Sequence, residues 1–247
     1  MTSHRRRAFA ALGLLAAVLG VASAAPPASA SARPAAKAKS AVCPAALPGV
    51  HRYAPGRGHT VALTFDDGPG RDTGRILATL HRYRVAATFF NLGQNEADHR
   101  RFVRMEHDLG YPIGDHTWDH ADLTTLSASG QASEMDRERA RQRALTGGEP
   151  CLFRPPYGSF DATTLRLARQ RRMTVWNWSV DTEDWKAQGS GDAYWVHRIT
   201  SRAEAGDTQR HPVILMHNQP AGNPATLAAL PAIIRHYQRL HYRFVVL

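Results

Sequence analysis

Two acidic residues stand together in Thr64-Phe65-Asp66-Asp67-Gly68-Pro69, and two imidazoles lie four positions apart in His116-Thr117-Trp118-Asp119-His120. Imidazoles at that spacing share one face of a helical turn and can hold one metal ion. A carboxylate added to two histidines leaves an open coordination position for water, the arrangement of a hydrolytic metal centre. Alone, the histidine pair says little, because thirteen histidines in the chain make accidental pairs common. The aspartates could supply the missing oxygen donor. Successive side chains at a strand end point in different directions, so one aspartate can ligate a metal while the other holds water as a base. Gly68-Pro69 turns the chain sharply and leaves both carboxylates at a lip. Taken in isolation, the same segment reads more simply as an Asp-rich turn.

Three further segments carry chemically capable groups. In Phe153-Arg154-Pro155-Pro156-Tyr157-Gly158 the prolines lock the backbone beside Arg154. A guanidinium fixed there could keep a catalytic carboxylate ionised and oriented, and N–H groups of the turn could face a developing oxyanion. Asp181-Thr182-Glu183-Asp184-Trp185 adds acids and a flat aromatic, and Leu215-Met216-His217 ends an apolar run with an imidazole. A lone histidine in that setting is ordinarily a satisfied core residue. With Asp184 beside it, His217 would have a raised pKa and could serve as a general acid.

These groups need a frame. Candidate strands are 60–65, 87–92, 111–115, 151–154, 173–180, 211–217 and 242–247, and helical patterns lie near 73–83, 97–109, 127–145, 161–170, 193–205 and 225–240. Strand–helix alternation of this kind predicts parallel strands joined by crossovers, as a barrel-like α/β domain incompletely closed or as an open doubly wound sheet. Asp66-Asp67, His116, Arg154, Asp181 to Trp185 and His217 then all fall at or just beyond strand carboxyl ends. In a parallel α/β domain those ends open onto one face, the face that carries active sites.

Composition bounds the remainder. With 43% hydrophobic and 21% charged residues the chain is an ordinary globular protein, not a disordered or fibrous one. Arg5-Arg6-Arg7, an uncharged stretch from Ala8 to Val21 and Ala22-Ser23-Ala24 together predict a secretory signal over residues 1–24, with a second cleavage option as late as Ala30. Arg6-Arg7 hints at twin-arginine export beside the general route. The apolar stretch is too short for a comfortable membrane span. Residues 25–57 read as an Ala/Pro/Ser-rich linker and N-terminal segment, and 58–247 as one catalytic domain, expected as a monomer. The net charge of +10 falls to +7 once residues 1–24, with three Arg and no acids, are removed. For an exported protein that favours anionic cell-wall polymer over nucleic acid as an acidic partner, with plain solubility as the simpler account. Cys43 and Cys151 are too few for a disulfide framework or a four-cysteine zinc site, but outside the cell they could pair.

Taken together and in order, TFDDGP (64–69), HTWDH (116–120), RPPY (154–157), DTEDW (181–185) and LMH (215–217) resemble the polysaccharide deacetylase family, the NodB-homology or carbohydrate esterase family 4. Its pattern, T-F-D-D-G-P, H-[ST]-x-x-H, R-x-P-Y, D-x-x-D-W and L-x-H, is matched at every specified position, with coverage from Gly58 to Leu247. The resemblance implies a distorted (β/α)7 barrel and a divalent metal, usually Zn2+ with Co2+ or another ion as alternatives. It also implies removal of acetyl groups from carbohydrate. It makes Asp66 the general base and Asp67, His116 and His120 the metal ligands. Arg154 becomes the tether of Asp66, and the Tyr157 backbone N–H a partner of the oxyanion. Asp184 tunes His217, the general acid, while Trp185 and Leu215 wall the acetyl pocket. Asp115 and Asp119, outside the specified positions, add negative charge around the histidines. N-acetylglucosamine in peptidoglycan or chitin is the expected substrate, with O-acetyl groups of xylan as the enzyme alternative and glycan binding without catalysis as the other. A zinc peptidase is disfavoured because no Glu follows His116, and nothing suggests the co-substrate of a non-haem iron oxygenase.

Overall fold

The computed structural model describes residues 43–247; the signal sequence and the first part of the linker expected from the sequence lie outside them. Nine strands form one sheet in which every ladder is parallel: β1 (Val50–His51), β2 (Thr60–Gly68), β3 (Thr88–Asn91), β4 (Ile113–Asp115), β5 (Leu152–Phe153), β6 (Thr174–Trp176), β7 (Val180–Asp181), β8 (Val213–His217) and β9 (Arg243–Phe244). The order is β1-β6-β5-β4-β3-β2-β8-β7, with β9 added to the start of β2. Among the described residues seven α-helices pack around it: α1 (Thr73–Tyr83), α2 (Gly93–Asp98), α3 (Arg100–Asp108), α4 (Ala128–Thr146), α5 (Ala162–Gln170), α6 (Ala193–Glu204) and α7 (Pro224–Arg239). This is the expected incomplete barrel, not an open doubly wound sheet.

Local chemistry sets the elements. β2 and β8 are buried along almost their whole length, with apolar residues filling most of β8 and the first part of β2, as strands covered on both faces must be. Ser127 caps α4, Asp192 caps α6, and Asp161 with Thr164 closes a reciprocal capping box on α5, each satisfying N–H groups that a helix start leaves free. The main core lies between β2, β3, β8 and helices α1, α6 and α7. A second cluster, with Phe153, Leu167 and Met173, lies between β5, β6, α4 and α5.

Two expected elements divide. The 97–109 helix breaks at His99, whose backbone (φ −121°, ψ 36°) is not helical, giving α2 and α3. The 173–180 strand breaks into β6 and β7, because the Arg154 guanidinium takes the carbonyls of Trp176 (3.3 Å) and Asn177 (3.1 Å) that would otherwise have continued a ladder. β6 then pairs with β5 and β7 with β8, which leaves a seam between them. Residues 43–54 run along that seam. β1 pairs with β6, Ala54 N–H donates to His211 O (2.8 Å), and Tyr53 bridges Pro212 at the start of β8. The strap is pinned at its start by a Cys43–Cys151 disulfide. Among the described residues no helix is long and apolar enough to cross a membrane.

Candidate metal centre and acid–base pair

The carboxyl ends of β2, β4, β5, β7 and β8 bring the chemically capable residues to one place. On β2 the register against β3 slips between Asp66 and Gly68, a bulge, and Asp67 there has φ 65°. This is why neighbouring aspartates face different partners. Asp66, 2% exposed, accepts from Arg154 Nη1 through Oδ1 (2.7 Å), and its Oδ2 lies 3.7 Å from His116 Nε2. Asp67 Oδ1 lies 3.4 Å from His116 Nε2 and 3.3 Å from His120 Nε2.

Asp67, His116 and His120 each offer one ligand atom, and the three atoms lie within 4.8 Å of one another. Asp67 Oδ1 is buried and makes no hydrogen bond, an orphaned anionic oxygen facing two imidazole nitrogens. His116 Nδ1 donates to Arg154 O (2.7 Å), which leaves the Nε2 lone pair for the centre. Oxygen, nitrogen and nitrogen donors in this arrangement fit a divalent cation of the zinc type.

The histidines do not lie on a helical turn, contrary to the reading of their spacing. They flank an irregular loop in which Thr117 (φ 72°) and His120 (φ 69°) are both left-handed, and those two reversals, not helical periodicity, turn the rings toward each other. The ring centroids are 5.0 Å apart.

Arg154 is fully buried. Beside Asp66 it donates to Thr64 Oγ1 (2.8 Å) and stacks over the Phe90 ring at 4.2 Å. So many fixed contacts hold the guanidinium, and through it Asp66, in one orientation. Tyr157, 65% exposed, sits in the left-handed region (φ 59°) within the turn after Arg154, its ring edge-on to His120 at 4.5 Å.

Opposite these groups, Asp184 Oδ1 meets His217 Nδ1 at 2.6 Å, and Oδ2 accepts from the His217 backbone N–H (2.8 Å) and Thr226 Oγ1 (2.6 Å). Burial pushes the His217 imidazolium down, but the Asp184 charge and hydrogen bond, helped by Asp67 and Asp66, outweigh it and raise the pKa to about 9. Burial works against the Asp184 charge as well, yet the His217 cation and the hydrogen bonds hold it below the usual carboxylate range. Desolvation, with His116 alongside, lowers His120 to about 4, so that ring is neutral and able to ligate. Leu215 is buried and Trp185 half exposed.

Asp115 and Asp119 differ in setting: Asp119 is exposed, whereas Asp115 is fully buried and desolvation pushes its pKa up to about 8. The Trp118 ring in the same loop is covered by the Arg137 guanidinium at 4.3 Å. Sequence reasoning missed Thr226 on α7 and Asn223 just before it, which complete the shell of Asp184, and Asn95, whose Nδ2 donates to Asp67 O (2.8 Å). They lie far from their partners along the chain and belong to no short motif.

A family model described as polysaccharide deacetylase matches residues 54–176. A peptidoglycan-N-acetylglucosamine deacetylase of Listeria monocytogenes is 34% identical over 188 residues; the match takes in 76% of this chain but 38% of that protein's length. A solved peptidoglycan N-acetylglucosamine deacetylase superposes with a TM-score of 0.74 at 32% identity, covering 80% of this chain and 90% of that one. A family 4 carbohydrate esterase from Streptomyces lividans, solved with acetate, gives a TM-score of 0.67 at 33% identity, over 75% and 91% of the two chains.

Proposed function

This chain belongs to the polysaccharide deacetylase family, and from that premise we propose that it is a metal-dependent hydrolase that removes acetyl groups from N-acetylglucosamine units of a glycan, peptidoglycan before chitin. The observation that carries the reading is the convergence of Asp67, His116 and His120 between a tethered carboxylate, Asp66, and a protonated imidazole, His217. The relatives named for peptidoglycan support the substrate.

A divalent cation held by Asp67, His116 and His120, most simply Zn2+ with Co2+ as a substitute, supplies Lewis acidity for the acetyl carbonyl and for water. The chain's own residues do the rest. Asp66, oriented by Arg154, takes the proton of the attacking water. The Tyr157 backbone N–H, in the turn fixed by Pro155 and Pro156, donates to the oxygen on which negative charge develops. His217, kept charged by Asp184, gives its proton to the departing amine. Trp185 and Leu215 enclose the acetyl methyl, a small apolar group that a shallow pocket can select.

Acetate release from acetylated chitooligosaccharides, peptidoglycan and acetylxylan, with and without chelator, tests this. Metal-dependent release from the two N-acetyl substrates is expected. Release from acetylxylan alone makes the protein an O-acetyl esterase, and no release from any of them leaves only glycan binding. The full set of ligand, base and acid side chains weighs against that last outcome.

Export over residues 1–24 and an extracellular, wall-associated location fit both the substrate and the disulfide. An anionic wall polymer as a second partner is supported by Arg71, Arg82, Arg84, Arg100, Arg101 and Arg104, exposed around α1 and α3 without ion-pair partners among the described residues. Retention on a phosphodiester polymer that fades with rising salt would test it.

A further inference from the structure

The loop between the two histidines is held from a helix that contributes no ligand. Trp118 N–H (3.0 Å) and Asp119 N–H (3.1 Å) both donate to one oxygen, Oε2, of Glu134 on α4. Glu134 is 7% exposed. The neighbouring peptides are served locally: Thr117 N–H by Asp115 Oδ1 (2.7 Å) and His120 N–H by Thr117 Oγ1 (3.2 Å). One turn along α4, Arg137 covers the Trp118 indole and lies 3.6 Å from Glu134 Oε1. The indole also abuts Gly93, where a Cβ would come within 2.6 Å of Trp118 Cε3.

Two non-glycine residues of this loop are left-handed, and such conformations persist only where the surroundings enforce them. Thr117 and His120 set the direction of the ligand rings, so whatever enforces their backbone also sets the ligand geometry. The two peptides between them have no ladder or helix partner for their N–H groups. The Glu134 carboxylate takes both.

We propose that Glu134 is a positioning residue for the metal ligands: by holding the Trp118 and Asp119 amides it fixes the loop so that His116 and His120 converge on Asp67. This rests on the reading of those three side chains as a metal site. The role is distinct from fold stability, because it predisposes the donor atoms before a cation arrives. Loss of an outer partner of a metal ligand commonly costs 10–100-fold in affinity. A comparable loss is expected from Glu134→Ala with all three ligands intact.

The test titrates metal-stripped protein with Zn2+ against a chromophoric chelator, well below the melting temperature of each variant. Co2+ absorption then reports the ligand geometry. Glu134→Ala should bind Zn2+ about 10–100-fold more weakly and give an altered Co2+ spectrum. Glu134→Gln, which keeps an acceptor oxygen, should recover most of the affinity, and Glu134→Asp, one methylene shorter, should not. The Gln and Asp variants decide the matter if the Ala variant does not fold. Lower melting temperatures with unchanged Zn2+ affinity and spectrum overturn the inference. A wild-type protein that takes up no Zn2+ overturns the metal-site reading instead.

Discussion

The Asp184–His217 pair offers the sharpest quantitative test of the site. His217 is 8% exposed and Asp184 1%, so solvent screens their attraction little. With Asp184 in place, His217 moves from the ordinary histidine value of 6.5 to about 9. At about 1.4 kcal/mol per pH unit, this displacement corresponds to about 3 kcal/mol favouring the imidazolium. Asp184→Asn keeps the shape and the hydrogen-bonding capacity toward Thr226 but removes the charge. Burial, the largest influence on His217, would then be opposed only by the more distant Asp66 and Asp67, and the imidazole should titrate below 7. Because the folded-state pKa is raised, the pair's contribution to stability is full below about 6.5 and is lost as pH rises through about 9. The substitution should therefore destabilise the protein more at pH 6 than at pH 10, by up to about 3 kcal/mol. The assay is NMR titration of the His217 ring in metal-free protein, with urea midpoints at both pH values. A His217 pKa within half a unit of wild type in the Asn variant, or an equal loss of stability at both pH values, refutes the reasoning.

Asp66→Asn should keep the bound metal and lose most activity, whereas Asp67→Asn should lose metal too; emission spectroscopy of both variants checks this, and the opposite pattern exchanges their roles. Glu106 is fully buried, has one oxygen on Asn91 Nδ2 (2.7 Å) and is pushed by desolvation to about 8, so the stability it contributes is full below about 4.5 and lost on the way to about 8. Glu106→Gln should flatten the fall of stability between pH 5 and 8 by about 1.4 kcal/mol per unit, measured as urea midpoint against pH, and an unchanged slope refutes the assignment. Removing the Cys43–Cys151 disulfide, which closes a loop of 108 residues, by Cys→Ser at both positions should cost about 2–5 kcal/mol in thermal or urea unfolding, with no change in metal content.

Much of this site was legible because its chemistry is concentrated at strand ends. Thr64 to Pro69 combines a β-branched, apolar run with two acids and a turn, so strand and site are visible in the same six residues. His217 could be placed at a strand end for the same reason. The helices were legible where apolar residues recur at helical spacing, as in α1 and α5. What could not be read are effects of partners distant in sequence. The split of β6 from β7 depends on a guanidinium arriving from β5. The histidine spacing pointed to a helix because periodicity is blind to a loop held by contacts from α2 and α4. Asp115 beside His116 reads as an added charge until its burial is known.

The strap over the barrel seam imposes an order on assembly. Its strand, β1, precedes every other strand of the sheet, yet its ladder partner β6 and its bridge partner Pro212 are made more than a hundred residues later. At the other terminus, β9 docks beside the beginning of β2. Such long-range pairings demand that widely separated stretches meet before either gains anything, so β1 waits on strands made much later. A nascent chain therefore cannot complete this sheet by successive addition, and both of its ends must find their places after the central strands have formed.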